Sequence, residues 1–159
     1  MSEAAGPAVR AAADAVVAAR ALAPRVRELA PEIERERRLP SAVVEALRAA
    51  GLFHLLTPRS LGGLEGDPVT AARVVDELAS ADASVGWCVM LGHQSCGFAG
   101  FVPEAEARAI WGDGGIVAGV ARPIGRATPV REPAEGYVAS GAGRSRAGAA
   151  TQRGSPRSA

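Results

Sequence analysis

The chain has 159 residues, 48% of them apolar, and a net charge of +1. That is enough for one ordinary domain with a real core, and it gives no reason to expect nucleic acid or an anionic membrane as partner. All 18 basic residues are arginine, a bias that speaks of codon usage rather than of function.

Glu3, Arg10 and Asp14 break any apolar leader, so the N-terminus does not read as a signal peptide and a cytoplasmic location is expected. Ala8 to Ala23 is alanine-rich and helix-forming. Leu22, Val26, Leu29 and Ile33 continue it at spacings of four, three and four, which puts them on one face. Pro24 and Pro31 are expected to kink or restart this helix. Glu32 to Arg38 alternates acids and arginines, as a solvated face does. Pro40 opens a second helix with Val43, Val44 and Leu47 on its apolar side and Gly51 as its stop. Leu52 to Leu56 is a short apolar connector, followed by a glycine-rich loop to Gly66.

Asp67-Pro68 starts the third helix, an N-cap acid before a first-turn proline, with Val74 and Leu78 as its buried stripe. Asp82 or Ser84 caps a fourth helix that runs to about Gly100. The uncharged run Ala83 to Pro103 is long enough to cross a bilayer, but its four glycines, His93 and Gln94 favour a helix apolar on nearly all sides in the middle of a bundle. Cys88 and Cys96 show neither a CxxC pair nor zinc spacing, so two buried free thiols are expected and no metal. Pro103 opens a short helix ending near Trp111.

Gly112-Asp113-Gly114-Gly115 then breaks the helical pattern. Ile116 to Val120 is strand-like, punctuation follows at Pro123, Gly125 and Pro129, and Tyr137-Val138 can start a further strand. From Ala142 to Ala159 there are four arginines, no acid and no large apolar side chain, so this segment is expected to stay disordered. The expected organisation is a helical domain over 1–112, the start of a β-domain over 113–141 and a tail over 142–159.

Three stretches resemble the acyl-CoA dehydrogenase family. LPSAVVEALRAAGLFHLLTPRSLGG, residues 39–63, is similar to the opening helices of its N-terminal domain. DELASADASVGWCVMLGH is similar to its flavin-dependent monooxygenase branch, the type of 4-hydroxyphenylacetate hydroxylase oxygenase component and dibenzothiophene monooxygenase. GVARPIGRATPVREPAEGYVASG is similar to the first β-domain strands, leading to a Gly-Tyr-x-x-Ser-Gly turn. The fold implied is an α-helical bundle followed by the first strands of an incomplete β-barrel. Those strands are expected to be poorly ordered or to leave an exposed edge.

After Gly141 the branch pattern Arg-Trp-x-Phe-Ala-Ser-Gly is missing. One back-translation of residues 141–153, read from its third base, spells Arg-Trp-Pro-Phe-Ala-Ser-Gly-Cys-Arg-His-Ala-Ala. The tail is therefore expected to be an off-frame translation that truncates the chain; the alternative is an unrelated flexible basic tail.

No residue cluster announces chemistry by itself, so function rests on the resemblance. It implies a flavin cofactor, FMN or FAD, not bound tightly by so short a chain. Further implications are a flavin reductase partner, an aromatic or polycyclic small-molecule substrate and a homo-oligomer, a tetramer, in the full-length family. His93 takes a possible catalytic role, polarising a phenol or stabilising a flavin–oxygen adduct; the alternative is a helix histidine hydrogen-bonded within the bundle. Trp87, roughly 120° around the helix from it, reads as flavin wall or as core. Ala121, Pro123 and Gly125 match a segment whose backbone approaches the flavin ring, against a plain strand-end turn. His54 is a weaker candidate. Acyl-CoA dehydrogenation is the second enzymatic reading, but it needs a carboxylate base from a domain absent here. A non-catalytic helical module, associating through exposed apolar surface, is the third. A nucleic-acid-binding tail is disfavoured because its arginines have no aromatic neighbours.

Overall fold

The structure is a computed structural model that describes residues 7–112, 114–117, 125–130 and 136–141. Five α-helices are followed by one antiparallel pair of strands. Helix α1 spans Pro7–Glu36, α2 Ser41–Ala49, α3 Pro68–Ala79, α4 Ala83–Cys96 and α5 Glu104–Trp111. Three short 3-10 turns, Leu52–His54, Arg59–Leu61 and Gly97–Phe101, join them.

Helix α3 packs along α1 on one side and α4 on the other. Helix α2 and the Leu52–His54 turn close one face of this layer. The main core draws Ala15, Ala19, Val26 and Ile33 from α1, Val43, Val44 and Leu47 from α2, Leu52, Phe53 and Leu55 from the connector, and Val74, Leu78, Val85 and Val89 from α3 and α4. A smaller cluster gathers Leu61, Ala99, Ala107 and Trp111.

Local chemistry sets the breaks. Asp67 accepts from the backbone N–H groups of Val69 and Thr70, and Asp82 from those of Ser84 and Val85, so each carboxylate satisfies two orphan donors at a helix start. Of the two candidate caps for α4, Asp82 is the one used. Gly51 ends the α2 segment at φ +69, a backbone conformation that a side chain resists.

Several expectations are corrected. Helix α1 runs through Pro24 and Pro31 without a restart. Both prolines are exposed, as are Arg20 and Arg27, whose carbonyls lose their intrahelical donors, so water can take the place of the missing bonds. Helix α4 is not the middle of a bundle. Val85, Val89, His93 and Cys96 are buried on one side, while Trp87 is 53% exposed, with Phe98 at 66% and Phe101 at 88% just beyond. The α-helix stops at Cys96 and continues as the 3-10 turn to Phe101. Cys96 is buried but Cys88 is half-buried; both are free thiols.

The expected strand at Ile116 does not form in the described part, Gly114–Val117. Ile116 is buried and joins the helical core instead, where its side chain finds apolar cover. The strands are β1, Gly125–Val130, and β2, Gly136–Gly141, paired from Gly125 opposite Gly141 to Val130 opposite Gly136. Pro129 sits inside β1, which a two-stranded ribbon tolerates because each strand has an outer edge. The Gly-Tyr-x-x-Ser-Gly stretch forms β2 itself. Residues 118–120 and the tail 142–159 lie outside the described residues.

Candidate functional site

Helix α4 carries the best-defined polar group of the interior. Val85, Val89, His93 and Cys96 follow at helical spacing on its buried side. Gly92 has no side chain, and a Cβ there would lie 2.9 Å from the Phe53 carbonyl oxygen. The connector can therefore press directly against the helix backbone. That approach brings the Leu52 carbonyl to 2.7 Å from His93 Nε2, which donates to it.

His93 is 5% exposed. Burial pushes its pKa below the ordinary value; the bond to Leu52 works against this and the neighbouring His54 works with it. The ring is therefore neutral at physiological pH. Its other nitrogen, Nδ1, makes no hydrogen bond among the described residues. His93 also lines an open groove of about 500 Å³ between α3 and α4, walled by Leu56, Ala71, Val75, Ala79 and Met90, with Asp76 and Gln94 on its exposed rim. Small and apolar walls of this kind fit a flat apolar ligand.

A second buried polar cluster lies beneath it. Thr57 is fully buried, and its hydroxyl is 2.8 Å from Cys96 Sγ and 3.3 Å from His54 Nδ1. Cys96 Sγ in turn donates to the Gly92 carbonyl at 3.1 Å. This chain ties the connector to α4 and so holds Leu52 in place. Burial is the main cause that raises the Cys96 pKa, which keeps it a thiol. His54 is lowered chiefly by burial, raised by the Gly114 carbonyl and lowered again by the charge of Arg48. Its Nε2 is buried and makes no hydrogen bond of full geometry, so the Gly114 carbonyl only partly offsets burial.

The structure thus separates the sequence-derived candidates. His93 reaches the groove and also makes the intrahelical-bundle hydrogen bond that was its alternative reading. Trp87 is not core; its ring is exposed on another side of α4. Gly125 opens β1. Ala121 and Pro123 lie outside the described residues. Thr57 and Cys96 were not singled out as a pair; the signal was a lone histidine inside the apolar connector and a lone hydroxyl just after it. No group of three metal-ligating side chains occurs among the described residues, and none of their helices is long and apolar enough to cross a membrane.

Known proteins share the fold. The model of the acyl-CoA dehydrogenase N-terminal domain matches residues 7–103. The flavin-dependent monooxygenase oxygenase subunit HsaA of Rhodococcus jostii (strain RHA1) is 38% identical over 94 residues, which cover 58% of this chain and 24% of the relative. Dibenzothiophene monooxygenase of Rhodococcus erythropolis is 47% identical over 73 residues, covering 46% of this chain and 18% of that protein. Among solved structures, XiaF from Streptomyces sp., in complex with FADH2 and glycerol, superposes with a TM-score of 0.75 at 33% identity over 84% of this chain and 34% of its own. The chain spans about a fifth to a quarter of the length of the curated relatives it matches.

Proposed function

The chain belongs to the acyl-CoA dehydrogenase family, whose N-terminal domain it carries over residues 7–103, and from that premise we propose that it contributes the helical part of a two-component flavin-dependent monooxygenase. The substrate is an aromatic or polycyclic small molecule, a separate reductase supplies reduced flavin, and the assembled enzyme is a homo-oligomer. The observation that carries this reading is His93, a neutral imidazole at the wall of an apolar groove with one nitrogen bound to Leu52 and the other without a protein partner.

In this role the groove walls Ala71, Val75, Ala79 and Met90 take up the ring system and exclude water from it. His93 accepts the hydrogen bond of a phenolic O–H and holds that proton at Nδ1 as electron density moves into the ring. Toward a flavin, the described residues are proposed to offer one wall rather than a whole site. Trp87 offers an exposed ring face, and Gly125, which begins β1 and has no side chain of its own, is proposed with Ala121 and Pro123 to let the backbone approach the ring. A bound reduced flavin would supply the two electrons with which one atom of O2 enters the substrate and the other leaves as water. Dehydrogenation is less well supported. It needs a shielded carboxylate base, and the one carboxylate lining the groove, Asp76, stands exposed at the rim.

Calorimetric titration of the chain with 2-naphthol tests the reading. Saturable binding is expected, weakened about three- to tenfold in His93→Gln, the worth of one net hydrogen bond. No saturable binding by the wild-type chain would sink it.

A further inference from the structure

We infer that the Leu52 carbonyl fixes His93 as the Nε2–H tautomer, so that Nδ1 is a pure acceptor and the α3/α4 groove selects ligands that present an O–H or N–H donor on an apolar ring. The inference rests on the proposed aromatic substrate for the class of ligand, and on geometry for the tautomer. A carbonyl oxygen can only accept, and it sits 2.7 Å from Nε2, so Nε2 must carry a hydrogen. A neutral imidazole has a single N–H. The proton is thus used up on the protein side of the ring, and Nδ1 keeps its lone pair.

The carbonyl itself is held from three directions. Phe53 and Leu55, on either side of His54, are fully buried. His54 N–H donates to the Gly51 carbonyl at 3.0 Å, which closes the turn around Leu52. The Thr57 hydroxyl fastens the end of the connector to Cys96 on α4. Gly92 permits the approach, because any side chain there would push on the Phe53 carbonyl. Thr57 and Gly92 are therefore positioning residues for His93, acting through Leu52. The remaining groove walls are apolar, and the polar rim groups Asp76 and Gln94 are exposed, so the Nδ1 acceptor is what discriminates. A ligand that offers another acceptor leaves two lone pairs facing each other, whereas a donor satisfies both partners.

The chain has two histidines, which makes nitrogen NMR a direct test. On 15N-labelled chain at neutral pH, with His54→Asn for assignment, long-range proton–nitrogen correlations report the tautomer. A single Nε2–H pattern is expected for His93. Addition of 2-naphthol should shift Nδ1, and its methyl ether should shift it far less and bind roughly three- to tenfold more weakly. Gly92→Ala should mix the tautomers by lifting the connector off α4. An Nδ1–H pattern, or an average of the two forms, in the wild-type chain overturns the inference, whatever 2-naphthol does. A fixed Nε2–H pattern with 2-naphthol bound and Nδ1 unmoved also overturns it, while leaving the monooxygenase reading to its binding test.

Discussion

The helical layer and the two-stranded ribbon draw on the same alanine- and glycine-rich composition, yet they hold their shapes in different ways. In the layer, α1, α3 and α4 each place one apolar stripe against a neighbour, and Leu47, Leu52, Phe53, Leu55, Val74, Leu78, Val85 and Val89 lose all contact with solvent. In the ribbon, Arg126, Ala127, Thr128 and Pro129 on β1 and Gly136, Tyr137, Val138 and Ser140 on β2 are all exposed. The strands satisfy each other's backbone but bury nothing described, and an isolated hairpin is marginal in water. Periodicity makes an element; a partner surface makes it stable. Helix α4 shows both conditions within one element, closed against α3 and the connector on one side and open at Trp87 on the other.

The largest expected effect is in the layer's centre. Leu47 is fully buried between α2 and the main core, so Leu47→Ala should cost about 2–5 kcal/mol by lost burial and the cavity left behind. Urea titration followed by helix circular dichroism measures it. A loss below about 1 kcal/mol would mean that the layer is far looser than its burial indicates.

That centre was legible in the sequence because each helix carries its own periodic stripe. Val43, Val44 and Leu47, and Val74 and Leu78, are buried as their spacing implies. The caps at Asp67 and Asp82 were legible because capping is a local act of one side chain on the next turn. Three features were not. The fate of Pro24 and Pro31 depends on which side of α1 faces water, a tertiary property. Ile116 has a strand-former's side chain but is claimed by a helical core far away in sequence. The open side of α4 was invisible because a uniformly apolar segment gives no contrast between its faces. At the site, His93 could be picked by residue type, but its bond to Leu52 spans 41 positions and depends on the missing side chain of Gly92.

Two glycines of one continuous helical segment sharpen the contrast between closed and open faces. A Cβ on Gly86 would meet the Ala79 Cβ at 2.5 Å and its backbone, so Gly86→Ala should prise α3 from α4 at a cost of about 1–3 kcal/mol. At Gly97 nothing lies within 4 Å and the backbone is already helical, so Gly97→Ala should stabilise by about 0.4–1 kcal/mol. The opposite signs, read from paired urea midpoints, are the test; equal signs would break the assignment of the two faces.

Acid should act on the closed side as well. Below the ordinary histidine value of 6.5 the unfolded chain takes up protons that folded His93 resists, chiefly because it is buried. Stability is therefore full above that pH and falls as pH drops from it toward the lowered folded value, by at most about 1.4 kcal/mol per pH unit for this residue. His54, lowered also but more open to solvent, adds a smaller loss of the same sign. The Asp67 cap, held down first by the Thr70 hydroxyl, is lost only at lower pH, below its ordinary 3.8. Melting temperatures of wild type and His93→Gln between pH 4.5 and 7.5 should converge as pH falls; parallel curves would show that folding leaves the His93 pKa unchanged.

The smallest effect belongs to the ribbon. Tyr137 is 75% exposed and pairs only with Pro129 across the strands, and Val138, 60% exposed, faces Thr128. Such cross-strand pairs are worth about 0.2–1 kcal/mol to the ribbon itself. Both side chains are mostly exposed, so Tyr137→Ala should move the layer's urea midpoint by an amount equivalent to at most about 0.5 kcal/mol. Amide exchange of β1 and β2 should run orders of magnitude faster than that of α3, since the ribbon can open without disturbing the core. Suppose instead that Tyr137→Ala and Leu47→Ala shift the midpoint alike, or that β2 amides are protected as well as those of α3. The ribbon would then be docked on the layer through surface that the structure shows as exposed, and the distinction between the two regions would fail where it is drawn most sharply.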